Sequence, residues 1–531
     1  MSAARPLSRL ELIRATGTVM GAFLLSRVLG LVRELIIGQQ FGTSGQLDAY
    51  LAAFRIPDLL FQLVAGGALA SAFIPTFSTF LAREDADRAW YLMSNVVNAL
   101  LALLAALSAL AGVLAPVLVA RVVAPGFPPE RQALTVHLMR IMLLSPVIFG
   151  VSGVLMGVLN SFGRFLLPAL APAAYNLCII LGAWLLGPRM GVQGLALGVV
   201  AGAGLHLGVQ VPALVRLRPR YTLALDLRFP GLREVARLML PRSLGLGIVQ
   251  LNFLVNTILA SGLAAGSLAA LNYAWLLMLL PQGILAQAVG TAVFPTLSAL
   301  AAQARRDEMR DTLAATLRGL LFLAIPASLG LFFLRRPLVE VLFQRGAFTA
   351  QSTDLVAAAL AFYAFGLAAH SALEVIARAF YALHDTLTPV LVGGLAMLVN
   401  VALGVAAVLT LRHRPDAHAY LALANTVATV AEAGILFGLL RRRLEGLGGA
   451  GLAPALLRIL AASAGMGVFL AILPRLAPSL GSLAHLALGV AGGALVYLAL
   501  AALAGAQEIR LVLAWRRGQA DLAPPSAGGQ A

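Results

Sequence analysis

Residues 26–77 read SRVLGLVRELIIGQQFGTSGQLDAYLAAFRIPDLLFQLVAGGALASAFIPTF, two long apolar runs interrupted by Arg27, Arg33, Glu34, Asp48, Arg55 and Asp58. A charge near the middle of a lone membrane helix costs roughly 2.5–3.5 kcal/mol on insertion scales, so several in two adjacent runs demand a polar cavity or ion pairs. The stretch reads as the start of a membrane protein whose intramembrane charges line a path for a charged substrate.

Composition agrees. With 60% hydrophobic residues, 11% charged residues and a mean hydropathy of +0.91, the chain is not a water-soluble globule. A span needs about 20 apolar residues, and proline, glycine and charge clusters cut the apolar blocks between residues 17 and 505 into about 14 helices. The fold class is an all-α polytopic membrane protein. The first span is preceded by Arg5, Arg9 and Arg14 and followed by no small-residue cleavage pattern, so it is expected to stay in the membrane.

The net charge of +16 comes from arginine alone among the basic residues. Arginines concentrate in alternate loops: the N-terminal tail, Arg83 and Arg88, Arg216 to Arg237, Arg305 to Arg310, Arg441 to Arg443, and Arg510 to Arg517. The positive-inside rule places these loops, and both termini, in the cytoplasm. Charge dispersed over short loops, without an aromatic-studded soluble module, does not describe a nucleic-acid binder. Cys178 stands alone, excluding an intrachain disulfide, and the seven histidines show no metal-ligand spacing. His206 and His370 are expected within the membrane as hydrogen-bonded packing residues. No ATP-binding motif appears, no cofactor is implied, and any drive must come from a membrane potential, an ion gradient or consumption of product on the far side.

An internal repeat organises the spans. Ala72-Phe73-Ile74-Pro75-Thr76-Phe77-Ser78 recurs as Ala292-Val293-Phe294-Pro295-Thr296-Leu297-Ser298; Pro125-Gly126-Phe127 answers to Arg345-Gly346-Ala347-Phe348, and Phe165 to Leu170 answers to Thr386 to Leu391. A displacement near 220 residues holds about six spans, an even number, so the halves enter the membrane in the same sense. The expected organisation is a cytoplasmic tail (1–16), an N-lobe of six spans (17–215), a partly amphipathic cytoplasmic linker (216–235), a C-lobe of six spans (236–440), two further spans (453–505) and a cytoplasmic tail (506–531). Transporters use such parallel halves as lobes that rock about a central site.

Together, the SRVLGLVRE start, Asp48-Ala49-Tyr50, Ala72-Phe73-Ile74-Pro75, Ala124-Pro125-Gly126-Phe127, Asn160-Ser161-Phe162-Gly163-Arg164-Phe165, Phe343-Gln344-Arg345-Gly346-Ala347-Phe348 and Ala377-Arg378-Ala379-Phe380-Tyr381-Ala382 with Asp385-Thr386 closely resemble the MurJ (MviN) lipid II flippases of the multidrug/oligosaccharidyl-lipid/polysaccharide exporter superfamily. The resemblance runs in order from about residue 17 to 440. It implies 14 helices in two lobes, the last two forming a hydrophobic groove. It also implies translocation of undecaprenyl-diphosphate-linked peptidoglycan precursor across the bacterial inner membrane. The chain departs from the family at two places. Many members carry arginine in the second span just after the position of Leu60, and an acidic-basic pair after a Tyr-Ala step in the eighth. Phe61-Gln62 and Trp275-Leu276 stand there instead.

The residues point to a similar substrate class by themselves. An anionic diphosphate head must cross a region of low dielectric, and arginine forks suit bidentate phosphate contacts. Arg27, about mid-span in the first helix, is the leading substrate-binding cation, with Arg33, Arg55 and Asp48 as the other candidates of the set, Asp48 gating or orienting an arginine. Six helical residues rotate by about 240°, so Arg27 and Arg33 cannot share one line of a straight helix. Glu34, Asp58, and the i,i+4 pair Glu374 and Arg378 are candidates for gating or ion pairing. Gly66 and Gly67, between Pro57 and Pro75, form a candidate hinge.

Three function classes are open at this point: a lipid II flippase; an exporter of another polyprenyl-linked glycan or a drug/ion antiporter; and a membrane glycosyltransferase, whose catalytic segment none of the short loops is large enough to hold. A transporter rather than an enzyme is expected. Its partners would be the lipid-linked oligosaccharide diphosphate, membrane lipids and the cell-wall synthesis machinery.

Overall fold

A computed structural model describes residues 9–64, 67–446 and 451–506, together with Glu508. Among these the chain contains no strand. Fifteen helical elements follow one another: α1 (Arg9–Phe41), α2 (Gly45–Val64), α3 (Gly67–Ala82), α4 (Ala86–Val123), α5 (Pro129–Ser161), α6 (Leu166–Met190), α7 (Val192–Val215), α8 (Pro230–Ser261), α9 (Ser267–Ala302), α10 (Arg306–Phe343), α11 (Ala350–Ala382), α12 (Leu387–Leu411), α13 (Ala417–Arg443), α14 (Leu452–Leu476) and α15 (Ser482–Leu503). Eleven, α4–α7 and α9–α15, are long and apolar enough to cross a membrane. The other three expected spans fall on α1, on α2 with α3, and on α8, so the helices are compatible with fourteen crossings. The expected second span is two elements: α2 ends at Val64 and α3 begins at Gly67, while Gly66 lies outside the described residues.

The repeat is visible in the backbone. Glu84 and Ala304, 220 residues apart, both take a left-handed conformation (φ 59° and 55°) between helices; so do Gly163 and His384, 221 apart (φ 70° and 58°). Left-handed residues at a helix end stop the helix and turn the chain. Equivalent turns at equivalent offsets give each half the same helix order.

By packing, the chain divides into two compact units. The first comprises residues 1–273, 342–355 and 404–421, and the second 274–341, 356–403 and 422–531. Inside the first, a core of Phe73, Phe77, Trp90, Leu92, Val154 and Val158 joins α3, α4 and α5. Inside the second, one core gathers Met309, Leu313, Val375, Phe380 and Leu436, and another packs Phe322 against Tyr497 on α15. Lipid tails are as apolar as leucine, so close fit rather than water exclusion holds such helices together. The contact of α6 with α7 shows how: a Cβ on Gly194 would come within 2.9 Å of the Gly187 nitrogen, and one on Gly202 within 2.9 Å of the Tyr175 carbonyl. Outward faces stay apolar, as at Leu110, Val113, Leu398 and Leu495, which suits contact with acyl chains.

Candidate functional site

Four of the six charged residues between positions 26 and 77 converge on a cavity of about 200 Å³. It could hold on the order of six waters, or a small anionic group, and lies below the size usual for whole ligands. Arg33, Glu34 and Ile37 come from α1. From α2 come Leu47, Tyr50, Leu51, Phe54, Arg55 and Asp58, a stripe at helical spacing. Tyr175 and Ile179 come from α6, and Asn272 and Tyr273 from the start of α9.

Each charge in this cavity has a partner. Arg33 donates to Glu34 Oε1 from Nη2 (2.6 Å) and Nε (3.1 Å), and from Nη1 to Asn176 Oδ1 (3.0 Å). Asn176 then donates to the Ser26 carbonyl at 3.2 Å, fixing α6 to α1. Arg55 Nε donates to Thr257 Oγ1 at 2.9 Å, with its guanidinium carbon 5.5 Å from the centroid of Phe253. Asp58 accepts from Gln250 Nε2 at 3.0 Å. Two arginines and two carboxylates thus face one small space, balanced in formal charge. The Tyr273 hydroxyl is buried there without a hydrogen-bond partner among the described residues.

Asp48 lies on α2 just outside this lining. It is only 1% exposed, and its carboxylate accepts the N–H groups of Gly266 (2.6 Å) and Ala269 (2.8 Å). This caps α9, where a negative charge meets the positive end of the helix dipole. The cap belongs to a wider latch within the first unit. Thr43 Oγ1 donates to Ser352 Oγ (2.8 Å), the Ala347 N–H donates to the Gln39 carbonyl (2.8 Å), and the Gly126 N–H donates to Ser261 Oγ (3.1 Å). The approach is backbone against backbone: a Cβ on Gly346 would collide with the Gln39 carbonyl, and one on Gly126 would lie 2.5 Å from Gly262 Cα. Gly126 and Gly346 are equivalent positions of the repeat, so each half contributes one glycine loop. Tyr273, packed against Phe343 (5.0 Å) and Phe348 (5.6 Å), joins latch to cavity.

Of the sequence-nominated residues, Arg33, Glu34, Arg55 and Asp58 come together in one lining. Arg27, the leading candidate from sequence, is exposed on α1 and does not line the cavity, and Arg33 does. Asp48 meets a helix end rather than Arg55. Glu374 and Arg378 sit in the second unit, paired at 2.7 Å, with Arg378 also donating to Thr291 Oγ1 at 2.9 Å. Gly67 opens α3. Tyr50, Tyr175, Asn176, Gln250 and Thr257 were not singled out by sequence. Tyr50 could have been, since it falls on the same helical stripe as Arg55 and Asp58.

A model of the family described as lipid II flippase MurJ matches residues 37–492. The chain belongs to the MurJ family. It is 36% identical over 389 residues to the lipid II flippase MurJ of Burkholderia cenocepacia, covering 72% of this chain and 75% of that one. It is 32% identical over 467 residues to the probable lipid II flippase MurJ of Bdellovibrio bacteriovorus, covering 87% and 88%. A solved MurJ in an inward closed conformation superposes with a TM-score of 0.77 at 25% identity, covering 91% of this chain and 98% of that one. An inward-facing multidrug transporter of the MATE family shares the fold, with a TM-score of 0.65 at 17% identity over 82% of this chain and 99% of the other.

Where this MurJ-family chain departs from the expected charges, aromatic clusters stand. Phe61 packs on Phe149 (5.0 Å), which in turn meets Tyr175 (5.2 Å) and His206 (5.2 Å). Trp275 packs on Tyr363 (5.3 Å) and His370 (5.4 Å) inside the second unit. Both histidines are hydrogen-bonded: His206 Nδ1 lies 2.7 Å from Ser152 Oγ, and His370 Nε2 lies 3.3 Å from Thr429 Oγ1.

Proposed function

We propose that this protein flips lipid II, the undecaprenyl-diphosphate-linked peptidoglycan precursor, from the inner to the outer leaflet of the bacterial plasma membrane. Membership of the MurJ family supports the substrate, and one observation carries the site: Arg33 and Arg55 converge on a cavity walled by helices of an apolar, many-span chain. Guanidinium forks match phosphate oxygens, and an anion entering this space would compete with Glu34 for Arg33. The diphosphate then replaces an ion pair that already compensates the charge, avoiding a bare buried arginine at any stage.

Transport proceeds by alternating access, the lobes 17–215 and 236–440 rocking about the site, with residues 453–505 as an appended pair of spans. The arginine-rich loops support cytoplasmic termini, which puts the Asp48 latch at the outward end. Opening the latch exposes the cavity outward, and Arg27 meets the head group before it reaches Arg33. Membrane potential or an ion gradient drives the cycle, and cell-wall synthesis consumes the product. The cavity lacks the net negative charge expected of a site for a cationic drug.

Complementation tests this reading. In bacteria depleted of their own flippase, the wild-type chain restores growth and cell shape, and Arg33→Ala at matched membrane levels does not. A well-inserted wild type that fails to rescue contradicts the lipid II assignment.

A further inference from the structure

Between α7 and α8, residues 216–229 form neither helix nor strand, and both ends of the segment are fastened to the first unit. Leu214 and Leu217 at one end, and Phe229 at the other, pack on the core around Trp90, with Phe229 5.2 Å from Tyr91. Between these anchors the side chains of α4 take up the backbone. Ser94 Oγ accepts the Thr222 N–H (3.1 Å), Asn98 Nδ2 donates to the carbonyls of Thr222 (3.1 Å) and Ala224 (2.8 Å), and Asn95 Oδ1 accepts the Asp226 N–H (2.6 Å). Arg220 pairs with Asp87 near the start of the same helix.

The backbone groups of residues 222, 224 and 226 therefore turn toward α4; Tyr221 also reaches it, donating its hydroxyl to Asn98 Oδ1 (2.5 Å), which leaves Leu223, Leu225 and Leu227 as the apolar row. Tyr221, Leu223, Leu225 and Leu227 are 54%, 90%, 54% and 64% exposed. Leu232 and Val235, which the sequence grouped with them, belong to α8 and are buried in the core. Asn98 lies eleven residues beyond Asp87 on a candidate membrane span, about 16 Å along the axis. The segment thus runs along the first third of the 38-residue α4, and its backbone polar groups find protein partners there. Three polar side chains on an apolar helix supply them. Exposed arginines flank the row at Arg216, Arg218, Arg220, Arg228, Arg233 and Arg237, against Asp226 and Glu234.

We propose that residues 221–227 are an interfacial anchor for an anionic lipid leaflet: the apolar row lies among the outer acyl segments, and the flanking arginines hold headgroup phosphates. Charge complementarity selects the occupant, since a surplus of arginine beside an apolar strip is the pattern that binds anionic membrane surfaces. The anchor fixes the connection between the two halves at a set depth in the leaflet.

Full-length protein carrying Cys178→Ser and Leu223→Cys, labelled with an environment-sensitive fluorophore, tests this in nanodiscs of phosphatidylcholine with and without phosphatidylglycerol. Leu225→Cys is a second position should the first fold poorly, as judged by elution and helix content. The expected result is blue-shifted emission, quenched by nitroxide-bearing lipid and shielded from aqueous iodide. The blue shift should diminish without phosphatidylglycerol or with Arg216, Arg218 and Arg228 replaced by Gln. Free iodide quenching in both lipids, with no response to lipid nitroxide, overturns the proposal and leaves the row to a soluble partner. Lipid quenching indifferent to lipid charge overturns the role of the arginines.

Discussion

Arg27 and Arg33 share one helix and differ in surroundings because six residues turn an α-helix by about 240°. Arg33 faces Glu34 and Asn176 in the cavity, and Arg27 lies on the exposed side. Spacing showed that the two could not share one line of the helix but not which of them faces the cavity, and the partner of Glu34 was not legible because adjacent residues on a helix do not ordinarily face each other. Replacing Arg33 by Ala leaves Glu34 half-buried without its cation, at a cost of roughly 1–3 kcal/mol for an unsatisfied group. Adding Glu34→Ala should therefore recover part of the lost thermal stability in detergent but none of the flipping. If the double variant flips lipid II as wild type does, Arg33 is structural. Arg33→Lys keeps the charge but loses the fork and the bond to Asn176, and it should give intermediate flipping at normal expression.

At the scale of elements, the latch and the helix caps depend on few atoms. Asp48→Ala removes the acceptor for the Gly266 and Ala269 N–H groups, and cap loss costs about 0.5–2 kcal/mol. Cysteine accessibility near Thr43 and Ser352, measured from the outer face, should rise. Unchanged labelling would show that the cap does not hold the latch. Gly346→Ala should be more severe, because Gly346 has φ 60° and its Cβ would strike the Gln39 carbonyl, whereas Gly319→Ala meets nothing within 4 Å. Equal transport and stability for those two variants would refute the close approach. Sequence marked Gly126 and Gly346 as repeat equivalents but gave no sign that both seat against backbone, since the residues they meet are far along the chain.

Asp385, in the loop before α12, accepts the Thr388 N–H (3.0 Å) and hydroxyl (2.7 Å) and pairs with Arg443. These hydrogen bonds to Thr388, with the Arg443 guanidinium, hold its carboxyl well below the usual range, at about 2. A carboxyl depressed in the folded state contributes stability that is complete above its unfolded pKa near 3.9 and is lost as pH falls toward 2. Thermal stability in detergent should decline over that window. Asp385→Asn, lacking this linkage, should be less stable than wild type at pH 7 and closer to it at pH 2; a constant gap would remove Asp385 from the account.

For the whole molecule, composition was enough to read a many-span helical membrane protein, and left-handed turns recur at the 220-residue spacing that the sequence repeat marks. The packing of the second half was not legible. Its helix ends at 342–355 and 404–421 cluster with the first 273 residues, the former through the Gly346 loop seated on Gln39, and periodicity does not reveal such contacts. The missing charges at Phe61 and Leu276 were legible as absences, whereas the aromatic packing of Phe61 on Phe149 and of Trp275 on His370 was not.

The central claim is that this chain carries lipid II outward through the Arg33–Arg55 cavity. Its most direct measurement is the exposure of labelled lipid II to an outer-leaflet-restricted hydrolase in spheroplasts depleted of their own flippase. Wild type should restore cleavage, and Arg33→Ala with Arg55→Ala at equal membrane abundance should abolish it. No cleavage with abundant wild type, or full cleavage with the double variant, would contradict the account.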